Sequence, residues 1–321
     1  MESQHNHAAP VLNKPVPVRH PGRWISAVII GGALLLMVQS AFTNPNFRWD
    51  VVATYILDVK VVQGVGWTLV LTATSMFLAI VLAILLAVMR QSDNPVLRYT
   101  SWLWVWFFRG TPVYTQLLFW GLVTVLYPAI TVGIPFGPEL FSYALSDPSK
   151  GLIPAILGLG LNESAYLAEI FRAGLKSVDK GQTEAAEALG MSKGKIMWRI
   201  ILPQAMRIIV PPTGNETIGM LKTTSLVLAV PFTLDLTFAT NALANRIYLP
   251  IPLLIVAAFW YLLVTSILMV GQHFIEAYYG KGVDNLAPAA INPAAARASA
   301  AVAPSAEAEP ALKMDPEEEA K

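Results

Sequence analysis

Apolar residues gather along this 321-residue chain into six runs, at 24–42, 67–89, 102–127, 152–173, 208–239 and 251–274. Each is close to or above the roughly 20 residues that an α-helix needs to cross the hydrocarbon core of a bilayer. The pattern predicts an all-α polytopic membrane protein with about six transmembrane helices. The fifth run is the least regular, because Pro211, Pro212, Asn215, Glu216 and Lys222 interrupt its first half. Polar groups at that depth are costly in lipid, so this half is expected to face protein, water or the cytoplasmic boundary. From about Asn285 the chain turns to Ala, Pro and Glu and ends in Asp315-Pro316-Glu317-Glu318-Glu319. With no apolar periodicity, residues 285–321 read as a disordered tail. No repeat of fixed period stands out.

Composition agrees with a lipid-facing surface. Charged residues make up 13% of the chain, against about 25% in soluble domains. Hydrophobic residues make up 55%, and the mean hydropathy is +0.54. The chain has no cysteine, which excludes disulfides, thiolate metal sites and Cys nucleophiles. The polar segment 1–23 followed by the run 24–42 has the outline of a signal peptide. The run is long for one, however, and no A-x-A site closes it, so a retained helix is expected.

Basic residues set the orientation. Lys14, Arg19 and Arg23 precede the first run, Arg90 and Arg98 follow the second, and Lys176, Lys180, Lys193, Lys195, Arg199 and Arg207 follow the fourth. The alternate connections are poorer in bases (Arg48 and Lys60, Lys150, and Arg246), and in the first two Asp50, Asp58, Glu139 and Asp147 match or outnumber them. Six spans with both termini in the cytoplasm satisfy every connection.

The connection 175–207 is the most informative stretch. It reads as two short helices. The first, around 183–189, is built of good helix formers and stops at Gly190, where a left-handed residue belongs. The second is expected to start with Ser192 as its cap and to run to about Leu202, where Pro203 restricts it. Ala185, Ala186 and Ala188 give the first helix a low surface that another backbone can approach closely. Glu184 and Glu187 are expected near its N-terminus, where they suit the helix dipole. On helix content alone, an ordinary amphipathic surface helix with a basic connection is the simpler account of these features.

The spacing Glu184-Ala185-Ala186, then Gly190, Ile200, Leu202 and Pro203, resembles the EAA loop of the permeases of binding-protein-dependent ABC importers. Arg109-Gly110-Thr111-Pro112, the stretch Ala165–Gly174 and Leu221-Lys222-Thr223-Thr224-Ser225-Leu226 resemble motifs of the polar amino acid branch, the histidine, glutamine and arginine type. The resemblance covers residues 64–275. It implies a five-helix type I importer core with an extra N-terminal helix at 24–42, in the bacterial cytoplasmic membrane. The resemblance further implies that the short helix of the loop is a coupling helix. It would seat in a dimer of cytoplasmic ABC ATPases, which carry the ATP and Mg. The other implied partners are a second permease subunit, identical or homologous, and an extracytoplasmic substrate-binding protein. Transport would then be of amino acids, by alternating access. The loop 128–150 and the stretch 231–238 depart from the usual pattern, and both lie on the expected outer side.

The chain has no G-x-x-x-x-G-K-[ST] sequence, and Gly190–Lys195 is the nearest approach. No cofactor is expected in this chain itself, and it is expected to be a transport subunit rather than an enzyme. Candidate substrate-path residues are the ionisable and polar groups inside the runs. Glu163, beside Asn162 and one turn from Tyr166, either accepts the cationic end of a solute or pairs with a neighbouring helix. Glu216, Thr224 and Ser225 either line a path or bond back to their own helix. Asp235 meets substrate or lies in the headgroup region. Glu169 and Arg172, spaced i, i+3, are expected to form a structural ion pair. Trp102, Trp104 and Trp106 suggest an interfacial belt. His5, His7, His20 and His273 have no metal-ligand spacing, and topology accounts for the basic residues without nucleic acid. An ion-gradient-driven transporter of small zwitterions is the alternative, but it gives no reason for the EAA spacing. A membrane-embedded enzyme would need catalytic groups clustered at one face, which the sequence does not offer.

Overall fold

The apolar run from Trp24 to Phe42 sits within a continuous helix, α1 (Pro21–Thr43), whose side chains are exposed on almost every side. A helix apolar all round has no water-facing stripe and calls for lipid or protein around it. The structure is a computed structural model and describes residues 21–134, 137–144 and 151–280. The expected segment before residue 21 and the expected tail 285–321 lie outside the described residues.

After α1 come α2 (Trp49–Tyr55), α3 (Val59–Arg90), α4 (Pro95–Gly110) and α5 (Val113–Leu126). A two-stranded antiparallel hairpin, β1 (Ala129–Gly133) and β2 (Glu139–Ala144), follows. Next are α6 (Leu152–Lys176), α7 (Lys180–Ala188), α8 (Lys193–Ile196), α9 (Leu202–Thr223), α10 (Leu236–Ile247) and α11 (Pro250–Tyr279). Among the described residues, three helices are both long and apolar enough to cross a membrane unaided: Gly22–Thr43 of α1, α3 and α11. At 1.5 Å per residue, α6 with 25 residues and α9 with 22 are also long enough, but they carry polar groups within.

Two of the six runs are not single helices. The run 102–127 breaks at Thr111-Pro112 into α4 and α5. A proline has no N–H for the preceding turn and pushes the residue before it to extended backbone, and Thr111 is extended. The run 208–239 ends as α9 at Thr223, tightens into a 3₁₀ turn over Thr224–Ala229, becomes extended at Val230, and restarts as α10. The restart is signalled by Asp235, whose Oδ2 accepts from the N–H groups of Thr237 (2.9 Å) and Phe238 (3.3 Å). This is an N-cap, so Asp235 is a buried group with a structural role. Among the described residues, the hairpin at 129–144 is the one departure from the all-α expectation, in a stretch carrying the β-formers Ile130, Thr131 and Val132.

The helices distribute over two compact units. The first takes the residues up to Ala168 together with Thr217–Ser266. Its core joins Val51 and Val52 of α2, Val61 and Val65 of α3, Leu236 and Leu243 of α10, and Leu253 and Val256 of α11. Close approach of α3 to α10 depends on Gly64. A Cβ there would stand 2.9 Å from Leu236 Cα. At the crossing, Leu236 N–H donates to Thr68 Oγ1 at 3.1 Å. A second core cluster packs Phe108 of α4 on Leu161 and Ala165 of α6, with Trp104 and Trp120 against it. Trp102 and Trp106 stack on one another and stay exposed. Trp104 instead turns inward against Phe108 and so leaves the expected belt.

The second unit takes Glu169–Glu216 and the chain from Ile267 onward. Here α7 starts earlier than expected, at Lys180, because Asp179 caps it: its Oδ1 accepts from Gly181 N–H at 2.6 Å. Glu184 therefore lies mid-helix and Glu187 in the last turn, so neither carboxylate serves the N-terminal dipole. Ser192 has the extended backbone of an N-cap but makes no capping hydrogen bond. The expected stop at Pro203 does not occur. α8 passes through a π turn, Met197–Ile201, straight into α9. Pro203 falls in the first turn of α9, and the wider turn upstream absorbs the register change that its missing N–H forces.

Candidate functional site

The break between α4 and α5 organises the polar interior of the first unit. In an unbroken helix the carbonyl of Phe108 would accept from the N–H of residue 112, but Pro112 has none. That oxygen is buried, and a buried carbonyl left alone is costly. Two amides take it instead. Asn162 Nδ2 donates at 2.8 Å and Gln116 Nε2 at 3.0 Å. Gln116 also donates to Thr111 Oγ1 (2.7 Å) and Thr111 O (3.1 Å). Thr111 Oγ1 in turn donates to Phe107 O at 2.9 Å. The stretch Arg109-Gly110-Thr111-Pro112 thus acts as a joint whose freed carbonyls are held from α5 and α6.

α6 is tied to α4 at neighbouring positions. Trp104 Nε1 donates to Ser164 Oγ at 3.0 Å, and Ser164 Oγ donates to Leu161 O at 2.6 Å. The Arg109 guanidinium lies 5.1 Å from the centre of the Tyr166 ring, within cation–π range. Glu163 sits between these anchors and is only 9% exposed. Asn162 and Tyr166 are therefore brought to the joint, against the Phe108 carbonyl and Arg109, and Glu163 stands on the same hydrogen-bonded segment of α6. Asn162→Leu is expected to leave the Phe108 carbonyl with one donor instead of two. Because Gln116 still holds that oxygen, the loss should destabilise the protein by about 0.5–1.5 kcal/mol, read as a lower thermal midpoint of the detergent-purified protein with its far-UV helix signal unchanged.

Thr224 and Ser225 lie in the 3₁₀ turn that ends α9. Thr224 is fully buried, and its Oγ1 donates to Leu221 O at 2.6 Å while standing 3.4 Å from Tyr261 Oη. Tyr261 Oη meets Thr237 Oγ1 at 2.9 Å. Ser225 Oγ donates to Lys222 O at 2.7 Å. Both hydroxyls bond back to their own helix. Thr224 belongs to a buried hydroxyl cluster that holds the turn against α10 and α11. Glu216 is half-buried, at the end of the second unit's share of α9.

In the second unit, Arg172 and Glu169 form the ion pair, with Arg172 Nε donating to Glu169 Oε2 at 2.8 Å. On α7, Ala186 is buried, whereas Ala185 and Ala188 are exposed and Leu189 is 83% exposed. Ala185, Ala188 and Leu189 share one helix face, which is low, apolar and bare in this chain. Gly190 closes it with φ +72°, its N–H donating to Glu187 O at 2.9 Å, and Met191 N–H to Ala186 O at 3.1 Å. This is the pattern of a left-handed helix stop. Ile200, Leu202 and Pro203 lie in the π turn and the first turn of α9. Among the described residues, no group of three His, Asp or Glu stands close enough to hold a metal ion.

Gln116, Ser164, Thr68 and Tyr261 were not among the residues picked out by the sequence. Gln116 carried one usable signal, being a strong polar group four residues after a helix-breaking proline.

Three kinds of likeness bear on the chain. Residues 79–281 match the family described as "Binding-protein-dependent transport system inner membrane component". The arginine transport system permease protein ArgU of Corynebacterium glutamicum is 49% identical over 272 residues, 84% of each chain. The histidine/lysine/arginine/ornithine transport system permease protein HisM of Salmonella typhimurium is 38% identical over 207 residues, 64% of this chain and 84% of that one. The crystal structure of an amino acid ABC transporter with histidines superposes with a TM-score of 0.57 at 30% identity, over 68% of this chain and 94% of that one. The methionine transporter MetNI, 18% identical with a TM-score of 0.54, shares the fold. The joint of α4 and α5, the loop carrying α7 and the long apolar helices therefore belong to a multi-pass inner membrane protein, and the chain is a member of the binding-protein-dependent transport system inner membrane components, as an amino acid ABC importer permease.

Proposed function

We propose that this chain moves cationic or polar amino acids inward by alternating access, driven by ATP hydrolysis on a partner subunit. The observation that carries the reading is the bare face of α7. A short helix with Ala185, Ala188 and Leu189 uncovered, rigidly closed by Gly190 and continued through a π turn into α9, suits a lever seated in another protein. A rigid helix tied at both ends to longer ones transmits rigid-body motion well. In this reading both termini and α7 are cytoplasmic, two permease subunits enclose the path, a pair of ABC ATPases holding ATP and Mg docks below, and a substrate-binding protein docks above. Glu163 faces the cationic end of the solute. Glu169 and Arg172 brace the segment leading to α7.

The names of the relatives support a cationic amino acid such as arginine as the cargo. The test is to purify the chain with its partner ATPase, reconstitute it with the binding protein in liposomes, and measure ATP hydrolysis against a panel of amino acids. Stimulation by arginine, lysine or histidine is expected. Uptake that persists without any ATPase and follows an ion gradient would replace this reading with the secondary-transporter one.

A further inference from the structure

We propose that the groove between α3 and α10 is a carboxylate-binding site for an amino acid, with Lys60 and Arg246 as its two cations. The inference rests on the transport reading above and goes beyond it, to a second point of contact with the solute. It stands on a cavity of about 360 Å³ between the two helices, within the range of small-molecule sites. Residues 60, 63 and 67 of α3 line one wall at helical spacing. Residues 238, 242 and 246 of α10 line the other. The groove has a structural cause. The helices meet backbone to backbone at Gly64 and Leu236, and Ala239 and Ala242 leave room beside that contact because their side chains are short.

The chemistry of the lining is one-sided. Lys60 and Arg246 bring positive charge, and among the described residues no acidic side chain lines the cavity. Neither base forms an ion pair among the described residues, whereas Arg48 pairs with Asp50 and Arg172 with Glu169. The nearest carboxylate in sequence to Lys60, that of Asp58, caps α3 by accepting from Lys60 N–H at 2.8 Å. Lys60 stands in the first turn of α3, where the helix dipole disfavours a cation, so helix stability does not account for it. Arg246, in the last turn of α10, suits its own helix dipole and needs no ligand by itself. The pair, with two cations facing one space and aromatic Trp67 and Phe238 beside them, matches a carboxylate on a short, partly apolar body. On the proposed orientation the groove opens on the outer side, where an arriving amino acid is met.

The test uses the detergent-purified permease–ATPase complex without binding protein. Calorimetry follows two pairs of probes: L-arginine with agmatine, and L-histidine with histamine, each amine lacking only the carboxylate. Lys60→Gln/Arg246→Gln is expected to raise the Kd of the amino acids about tenfold and leave the amines unmoved, and Lys60→Arg/Arg246→Lys to restore tight binding. Unchanged amino acid binding in the Gln variant overturns the site, as does an equal loss for acid and amine. Normal amino acid binding with loss of stimulation by the binding protein overturns it too, and assigns the two cations to an acidic patch on that protein. A wild-type complex that takes up amino acids but binds none of the probes refutes the site while leaving the transport reading intact. Failure to take up any amino acid refutes both.

Discussion

Gly190→Arg is expected to cut uptake to about a hundredth or less and to release the partner ATPase during purification, while Gly190→Ala keeps at least half of wild-type uptake. Two costs are involved, and they separate. Gly190 holds φ +72°, a conformation that costs an L-residue roughly 1–2 kcal/mol. Both variants carry this cost, and a helix end tied by two backbone hydrogen bonds can absorb it. Bulk is the second cost. Among the described residues nothing lies within 4 Å of a Cβ placed at Gly190, so a side chain leaves the turn into open space. A large excess defect of Arg over Ala is then expected from a partner packed against the turn. The measurement is uptake of labelled arginine in cells lacking the chromosomal copy, with the ATPase followed by co-purification. Wild-type recruitment and uptake in the arginine variant would end the docking role of α7.

Glu163→Gln is expected to lower uptake of arginine and lysine roughly 30-fold or more, with uptake of neutral polar amino acids changed only a few-fold. Glutamine keeps the shape of the side chain and one acceptor oxygen, replaces the other oxygen with an NH2 donor, and removes the charge. Glu163 is 9% exposed and stands on a segment of α6 held to α4 through Asn162 and Ser164, so the substitution leaves that frame in place. Removing one member of a buried hydrogen-bonded charge pair costs about 2–5 kcal/mol, and 1.4 kcal/mol is a factor of ten. Concentration dependence of uptake for each amino acid measures the effect. Equal transport of every amino acid by the variant would take Glu163 out of the path. An equal loss for charged and neutral solutes would assign it to packing of the bundle.

The order of apolar runs, and with it a helical membrane protein, was legible because lipid imposes a length and a composition that no single residue can disguise. So was the turn at Gly190, since a left-handed stop after a run of helix formers is a local event. The family signal in the loop 175–207 was legible for the same reason: it is carried by residues within one stretch, 184–203.

What the sequence by itself could not determine is where long-range partners decide. It showed Pro112 but not that the Phe108 carbonyl it frees is held by Gln116 and Asn162, because the second partner is 54 residues away. It showed an apolar run through 208–239, where the chain turns out to stop, tighten and restart on the cap of Asp235. It placed Glu184 at a helix start that Asp179 had already taken. It read Thr224 and Ser225 as open alternatives, and only packing against Tyr261 turned Thr224 inward. The groove between α3 and α10 exists because Gly64 and Leu236 touch, a contact between residues far apart along the chain. Local propensity and hydropathy act within a few residues, whereas breaks, caps and cavities are settled by which polar group finds a partner once distant helices meet.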